Sequence, residues 1–389
     1  MRATEYSAPF SYDKINYLIS IYMKKVIILL LLVLPLMVTA QRVKRNPNAP
    51  VTSQPRNVIF IVGDGMGTAQ VYSSIVAQDT RGSAFLRFPY SGFSRTYSYN
   101  RYTTDSGAGG SGLMTGHKVE NRHIAKGPDG TDYNSFLVDA KRFFGKAAGF
   151  VVTCSVLDAT PASTYAHVTD RKLFDSISLQ MAQCPFEVMI GGDKNHFLPE
   201  NRKDGKAPLD TLMARGYDMV YSVMDMSQSR SRKICGLLTP DNPDKAMTRG
   251  RMLTLGALKA IETLNSYDNG FVLMIEGSQI DWACHNNDSL YLAAEMADFE
   301  DMLHAVLDFA QRDGQTLVVV TADHETGGLT LKNGSIADRY NCPSWSTGGH
   351  TGVMVPVFSY GPGANLFSGV MQNTDFYNKL MLLMGAKWN

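Results

Sequence analysis

Apolar residues in this chain fall in short, nearly unbroken runs separated by longer stretches of mixed character. The runs are "NVIFIVG" (57–63), "AAGFVVTCS" (147–155), "FEVMIGG" (186–192), "GFVLMIEG" (270–277), "QTLVVVTAD" (315–323) and "VPVFSYG" (355–361). They are rich in β-branched residues and lack the strict alternation of a half-exposed strand, so they predict strands covered on both faces. Between them, 245–266 and 289–312 set apolar residues at helical spacing among mixed charges. Strands alternating with helices predict an α/β fold, a doubly wound, mostly parallel central sheet with helices on both faces, in one domain over 57–389.

The polar residues that interrupt this pattern fall at the ends of the runs. Asp64 follows the first, Asp158 and Thr160 follow the second, Glu276 ends "FVLMI", and Asp323 and His324 end "LVVVTA". In an open parallel sheet, ligands bind outside the carboxyl ends of the strands. Any one of these acids is adequately read as a loop residue capping a helix, but the set is not. Carboxylates gathered at one edge repel each other unless cations neutralise them. "EGSQIDWACH" places Asp281 and His285 four apart, on one face if helical, and "STGGHTG" brings His350 from a glycine-rich loop. Carboxylate-plus-imidazole sets suit zinc, whereas Asp, Glu and Thr oxygens suit magnesium.

By composition, "YTTDSGAGGSGLMTG" (102–116) is a slack linker. Yet Ser106 sits directly behind an aspartate and ahead of residues small enough to let an anion approach the backbone.

Charge and cysteine content narrow the classes further. With 37 basic and 36 acidic residues the net charge is +1, which gives no electrostatic case for a nucleic-acid partner. Five cysteines without a CxxC pair argue against a disulfide scaffold and against cysteine-bound zinc. "MKKVIILLLLVLPLMVTAQ" has the basic start, apolar run and small-residue end of a secretory signal, so 23–40 is expected to be removed and the protein to be periplasmic or secreted. The apolar run is short for a membrane span, and no stable span is expected once the signal is gone. Residues 1–22 precede a better start at Met23, and 41–56 reads as a proline-bearing linker.

Together, "VIFIVGDGMG", "TTDSGAGGSGLMTG", "DATPASTYAHVTDRK", "EGSQIDWACH", "TADHETGG" and "GGHTG" resemble the alkaline phosphatases, in the same order, from about Asn57 to the C-terminus. The resemblance implies an exported phosphomonoesterase, acting on small phosphate monoesters through a phosphoserine at a site with two zinc ions and one magnesium. Ser106 would be the nucleophile and Arg171 the clamp on the phosphate oxygens. Asp64, Asp323 and His324 would hold one zinc, and Asp281, His285 and His350 the other. Thr160 and Glu276 would join Asp64 on magnesium. Asp158 resembles the version in which a lysine follows the zinc-binding aspartate, but Trp282 follows Asp281 here, so the third site's occupant stays open. The glycines after Ser106, where relatives often carry alanine, are expected to loosen the helix start. The chain is shorter than many members, so peripheral insertions that carry dimer contacts would be reduced, and a homodimer is left open.

The second reading is a phosphodiesterase with the same metals, which Arg171 argues against because a diester lacks the second free charge. Sulfatase is disfavoured, since neither "CPFEV" nor "CPSWS" supplies C-x-P-x-R. His167, four before Arg171 in an expected helix, reads as structural and Cys284 as a core thiol. His117, His123, His196 and His304 show no partner pattern.

Overall fold

The computed structural model describes residues 54–78 and 82–387. The expected extension and signal segment, and all of the linker but its last residues, therefore lie outside the described residues. The predicted runs form β1 (Asn57–Gly63), β3 (Ala147–Ser155), β4 (Val188–Gly192), β7 (Phe271–Gly277), β8 (Thr316–Thr321) and β13 (Val355–Tyr360). Four strands that the apolar pattern did not predict complete the sheet: β2 (Tyr90–Arg95), β5 (Asp218–Val220), β6 (Ile234–Leu237) and β14 (Gly369–Gln372). The ten strands run in the order β14-β2-β13-β8-β1-β7-β3-β4-β6-β5. All neighbours are parallel except β13, which is antiparallel to both β8 and β2.

Continuous apolar character has the expected cause. Every residue of β1, β3, β7 and β8 is buried, because helices cover both faces. Alternate residues of β1 feed opposite layers: Val58, Phe60 and Val62 pack with helices Ser106–Thr115, Phe136–Phe144 and Asp375–Leu383, whereas Ile59 and Ile61 pack with Met252–Leu264 and Ser289–Asp313. The strands missed by the pattern are peripheral or short. β2 alternates exposed residues with buried Gly92 and Ser94, a pattern without an apolar run, and β5 has only three residues.

Two helical expectations are corrected. The segment 245–266 is not one helix but Ala246–Arg249 and Met252–Leu264, broken where Gly250 takes a positive φ of 64°. His167 and Arg171 do not share a helix. The helix Ala159–Ala162 ends before them, and Val168 forms a bridge with Ile124 instead. Helix Ser289–Asp313 runs as expected, capped by Asp288 and closed by Gly314 in the left-handed conformation.

The stretch that resembled a linker is a buried helix, Ser106–Thr115. Its glycines let it lie against neighbouring chain. A β-carbon at Gly109 would stand 3.0 Å from the Asp323 carbonyl oxygen, and one at Gly110 3.1 Å from Ser163 Oγ. At Gly112 it would meet Asn373, Nδ2 at 2.7 Å and Cγ at 2.9 Å, and Asn373 is itself fully buried. Gly112→Val is therefore expected to destabilise by about 1–3 kcal/mol through overpacking. Urea unfolding checks it; an unchanged midpoint would show that the helix has room to spare.

Candidate metal centre and active site

The ends of four neighbouring strands, β8, β1, β7 and β3, supply the site. At the end of β1 the chain passes through Asp64 into Gly65, where φ is +71 and a β-carbon would lie 2.9 Å from Asp281 Oδ1. Glycine is required there both for the backbone conformation and for the space. Gly65 N donates to Asp323 Oδ1 at 3.2 Å, tying the β1 and β8 ends together.

One ligand group joins helix Gln279–His285 to the glycine-rich loop. His285 Nε2 is 3.3 Å from Asp281 Oδ2, His350 Nε2 is 3.6 Å from Asp281 Oδ1, and the two Nε2 atoms are 3.1 Å apart. Each ring turns its Nδ1 toward a backbone carbonyl, His285 to Gly348 O at 2.7 Å and His350 to Thr104 O at 2.9 Å. A carbonyl only accepts, so each Nδ1 carries a proton, and Nε2 is the nitrogen that can offer a lone pair to a cation once its own proton is gone. Two lone pairs and a carboxylate converging on one point are the donor set of a cation site.

The second group lies deeper. His324 Nε2 is 3.1 Å from Asp323 Oδ2, 3.5 Å from Asp64 Oδ1 and 3.2 Å from Ser106 Oγ. Ligand atoms of Asp64, Asp281 and His324 all fall within 4.8 Å of one another, so Asp281 belongs to both groups. Beside them, Asp64 Oδ1, Asp323 Oδ2 and Thr160 Oγ1 are buried oxygens without a hydrogen-bond partner. Orphaned buried oxygens are costly, and a bound cation would satisfy these. The residues present therefore fit metal ions.

Without a cation the electrostatics are strained. Burial pushes the Glu276 carboxyl up to about 8, with the charges of Asp158 and Asp323 adding to it. Burial, then Asp323, Asp281 and Glu276, likewise raises Asp64 well above the carboxylate range. A hydrogen bond to Asp281 lifts His285 to about 9, whereas burial and the neighbouring His324 push His350 down to about 4.

On the other side, Ser106 opens its helix. Asp105 is the cap, its Oδ1 accepting from Ala108 N at 3.0 Å and from Arg122 N at 3.1 Å. Arg171 donates from Nη2 to Asp158 Oδ1 at 2.9 Å and from Nη1 to Asp105 Oδ2 at 3.4 Å, with Nε buried and unpartnered. Asp158 also accepts from Ala159 N at 2.7 Å and lies outside both converging groups. Sequence reasoning missed two residues. Asp105 was findable as an acid at a helix N-cap. Thr326, which donates to Asp281 Oδ1, left no signal, because a hydroxyl in "DHETGG" reads as an ordinary turn residue. Cys284 is a buried thiol that accepts from Gln70 at 3.7 Å, and burial raises it further above its usual range, which fits a core residue.

Such a sheet edge, with convergent carboxylates and imidazoles beside a serine at a buried helix start and an arginine tied to that helix's cap, is the arrangement of a metal-dependent hydrolase of anionic esters. The family model of alkaline phosphatase matches residues 55–342, and the chain belongs to that family, whose activity is phosphomonoester hydrolysis. Alkaline phosphatase 4 of Bacillus subtilis is 31% identical over 85% of this chain and 88% of its own. The alkaline phosphatase of the Antarctic bacterium TAB5 superposes with a TM-score of 0.80 at 35% identity, over 85% of this chain and 99% of that one. A variant of it is described with Mg bound in a site called M3, and superposes with a TM-score of 0.79 at 34% identity over 87% of this chain and 99% of that one. The Thermus thermophilus enzyme shares the fold at 23% identity, TM-score 0.80, over 87% of this chain and 93% of its own.

The raised carboxyls make metal-stripped protein sensitive to alkali. Folded Glu276 keeps its proton to about 8, whereas the unfolded group, at 4.5, releases it earlier. Stability is thus full below the unfolded value and lost as pH rises through the folded one. The melting temperature of chelator-treated protein should fall between about pH 5 and pH 9, and fall less in Glu276→Gln. A flat profile in the unsubstituted protein would contradict the buried-carboxyl arrangement.

Proposed function

We propose that the protein releases inorganic phosphate from small phosphate monoesters through a phosphoserine on Ser106. The observation that carries this is Ser106 Oγ, buried at a helix start, 3.2 Å from His324 Nε2. Asp64, Asp323 and His324 would hold one zinc, Asp281, His285 and His350 a second, and Asp64, Thr160 and Glu276 a magnesium. Asp158 would act on that third site through its charge. When bound, the cations would offset the carboxylate charge and the dianion's repulsion, and favour the ionised serine.

Ser106 Oγ attacks phosphorus as the bond to the leaving oxygen breaks, and water then cleaves the serine ester from the vacated side. The helix start favours the anion through its N–H groups and dipole. Arg171, held by Asp158 and Asp105, presents parallel N–H donors to two non-bridging oxygens, a geometry lysine cannot offer. A diester has one such charge fewer, which favours the monoester reading. Export to the periplasm or the medium is supported by the signal-like segment 23–40; among the described residues no helix is long and apolar enough to cross a membrane.

Acid trapping during turnover should place phosphate on Ser106, and Ser106→Ala should lose most activity; phosphate on another residue would refute the assignment. Arg171→Ala should cost about 100-fold or more in kcat/KM on a monoester and much less on a diester. Equal losses on both would remove the clamp. His285→Ala and His350→Ala should each empty one zinc site by elemental analysis, and a full complement in either would overturn the ligand set.

A further inference from the structure

One buried hydroxyl touches ligands of both metal groups. Thr326 is fully buried in β9 (Glu325–Thr326), which pairs antiparallel with β12 (His350–Thr351) so that Thr326 lies opposite His350. Its backbone is fixed at both ends: Thr326 N donates to Gly65 O at 3.1 Å, and its carbonyl accepts from Gln70 Nε2 at 2.9 Å. Its Oγ1 donates to Asp281 Oδ1 and stands 3.2 Å from His324 Nδ1. Room for the hydroxyl exists only because residue 65 is glycine, since a β-carbon there would be 2.7 Å from it.

The proton count then fixes the roles. An ionised carboxylate can only accept, so the single hydroxyl proton goes to Asp281. The oxygen's remaining lone pair must accept from His324, which places that ring's proton on Nδ1. His324 Nε2, which faces Ser106 Oγ, Asp64 and Asp323, is then the nitrogen that offers its lone pair when a cation takes the place of its proton.

We propose that Thr326 is a positioning residue whose hydroxyl joins the two zinc sites, holding His324 in its metal-binding tautomer while orienting Asp281 for the other ion. This rests on the two-zinc reading above. Groups that orient metal ligands commonly carry about 10–100-fold in affinity. Here one group does so for two sites, so its loss is expected to weaken both together.

The test is zinc titration of metal-stripped full-length protein by calorimetry. Thr326→Val should lower affinity about 10–100-fold at both sites. Thr326→Ser should stay within about threefold of the unsubstituted protein, because it keeps the hydroxyl. Nitrogen-15 histidine spectra of the zinc-loaded protein should show an Nδ1–H ring at His324 in the unsubstituted and serine forms, and an altered signal in the valine form. Thr326→Ala removes the hydroxyl without a methyl group directed at Gly65, and carries the same test if the valine variant does not fold. Unchanged affinity at both sites, or loss confined to one, would overturn the proposal. So would a serine variant as weak as valine. Unsubstituted protein that takes up no zinc would instead sink the two-metal reading itself.

Discussion

The structure depends on a mutual repulsion that the fold itself enforces. Adjacent strands β8, β1, β7 and β3 each end in an acid or an acid-bearing turn, so Asp323, Asp64, Glu276 and Asp158 come together at the sheet edge. Glu276 is held within β7 and the other three lie just beyond the ends of paired strands, which limits how far they can move apart. Asp64, Glu276 and Asp323 are almost wholly buried, which removes the water that would screen them. The fold tolerates such a cluster only with protons or cations in it. The imidazoles of His285, His324 and His350, oriented so that nitrogen lone pairs can face inward, favour cations.

The same constraint accounts for the unusual helix beside it. Helix Ser106–Thr115 lies close against three neighbours, with Gly109 at Asp323 beyond β8, Gly110 at Ser163 and Gly112 at Asn373. Side chains at these three positions would crowd those neighbours, and the helix is held by burial and by the Asp105 cap instead of by intrinsic propensity. Asp105 connects this helix to Arg171: one of its oxygens accepts from Ala108 N in the first turn and the other from Arg171 Nη1. The helix start and the position of the Arg171 guanidinium are therefore tied to the same residue.

Much of this was legible in the sequence, for identifiable reasons. Strands buried on both faces leave unbroken apolar runs, and the polar residue that ends each run marks the functional edge; β1, β7 and β8 were readable in this way. Asp281 and His285 were readable because helical spacing alone puts them on one face. Illegible were contacts that depend on tertiary approach. The glycines read as slack because composition does not report how near Asn373 or Asp323 lies. β2 and β5 left no apolar signature at the sheet's periphery. Thr326 was invisible because its partners are distant or belong to other elements, as with Asp281, 45 residues away.

The most direct test of the account is anomalous diffraction at the zinc edge from crystals of the protein grown with zinc and magnesium. The account predicts two strong zinc peaks, one among Asp281, His285 and His350 and one among Asp64, Asp323 and His324. Crystals with no zinc at either position, or with the ion held by other residues, would contradict the claim that cations resolve the buried carboxylate cluster.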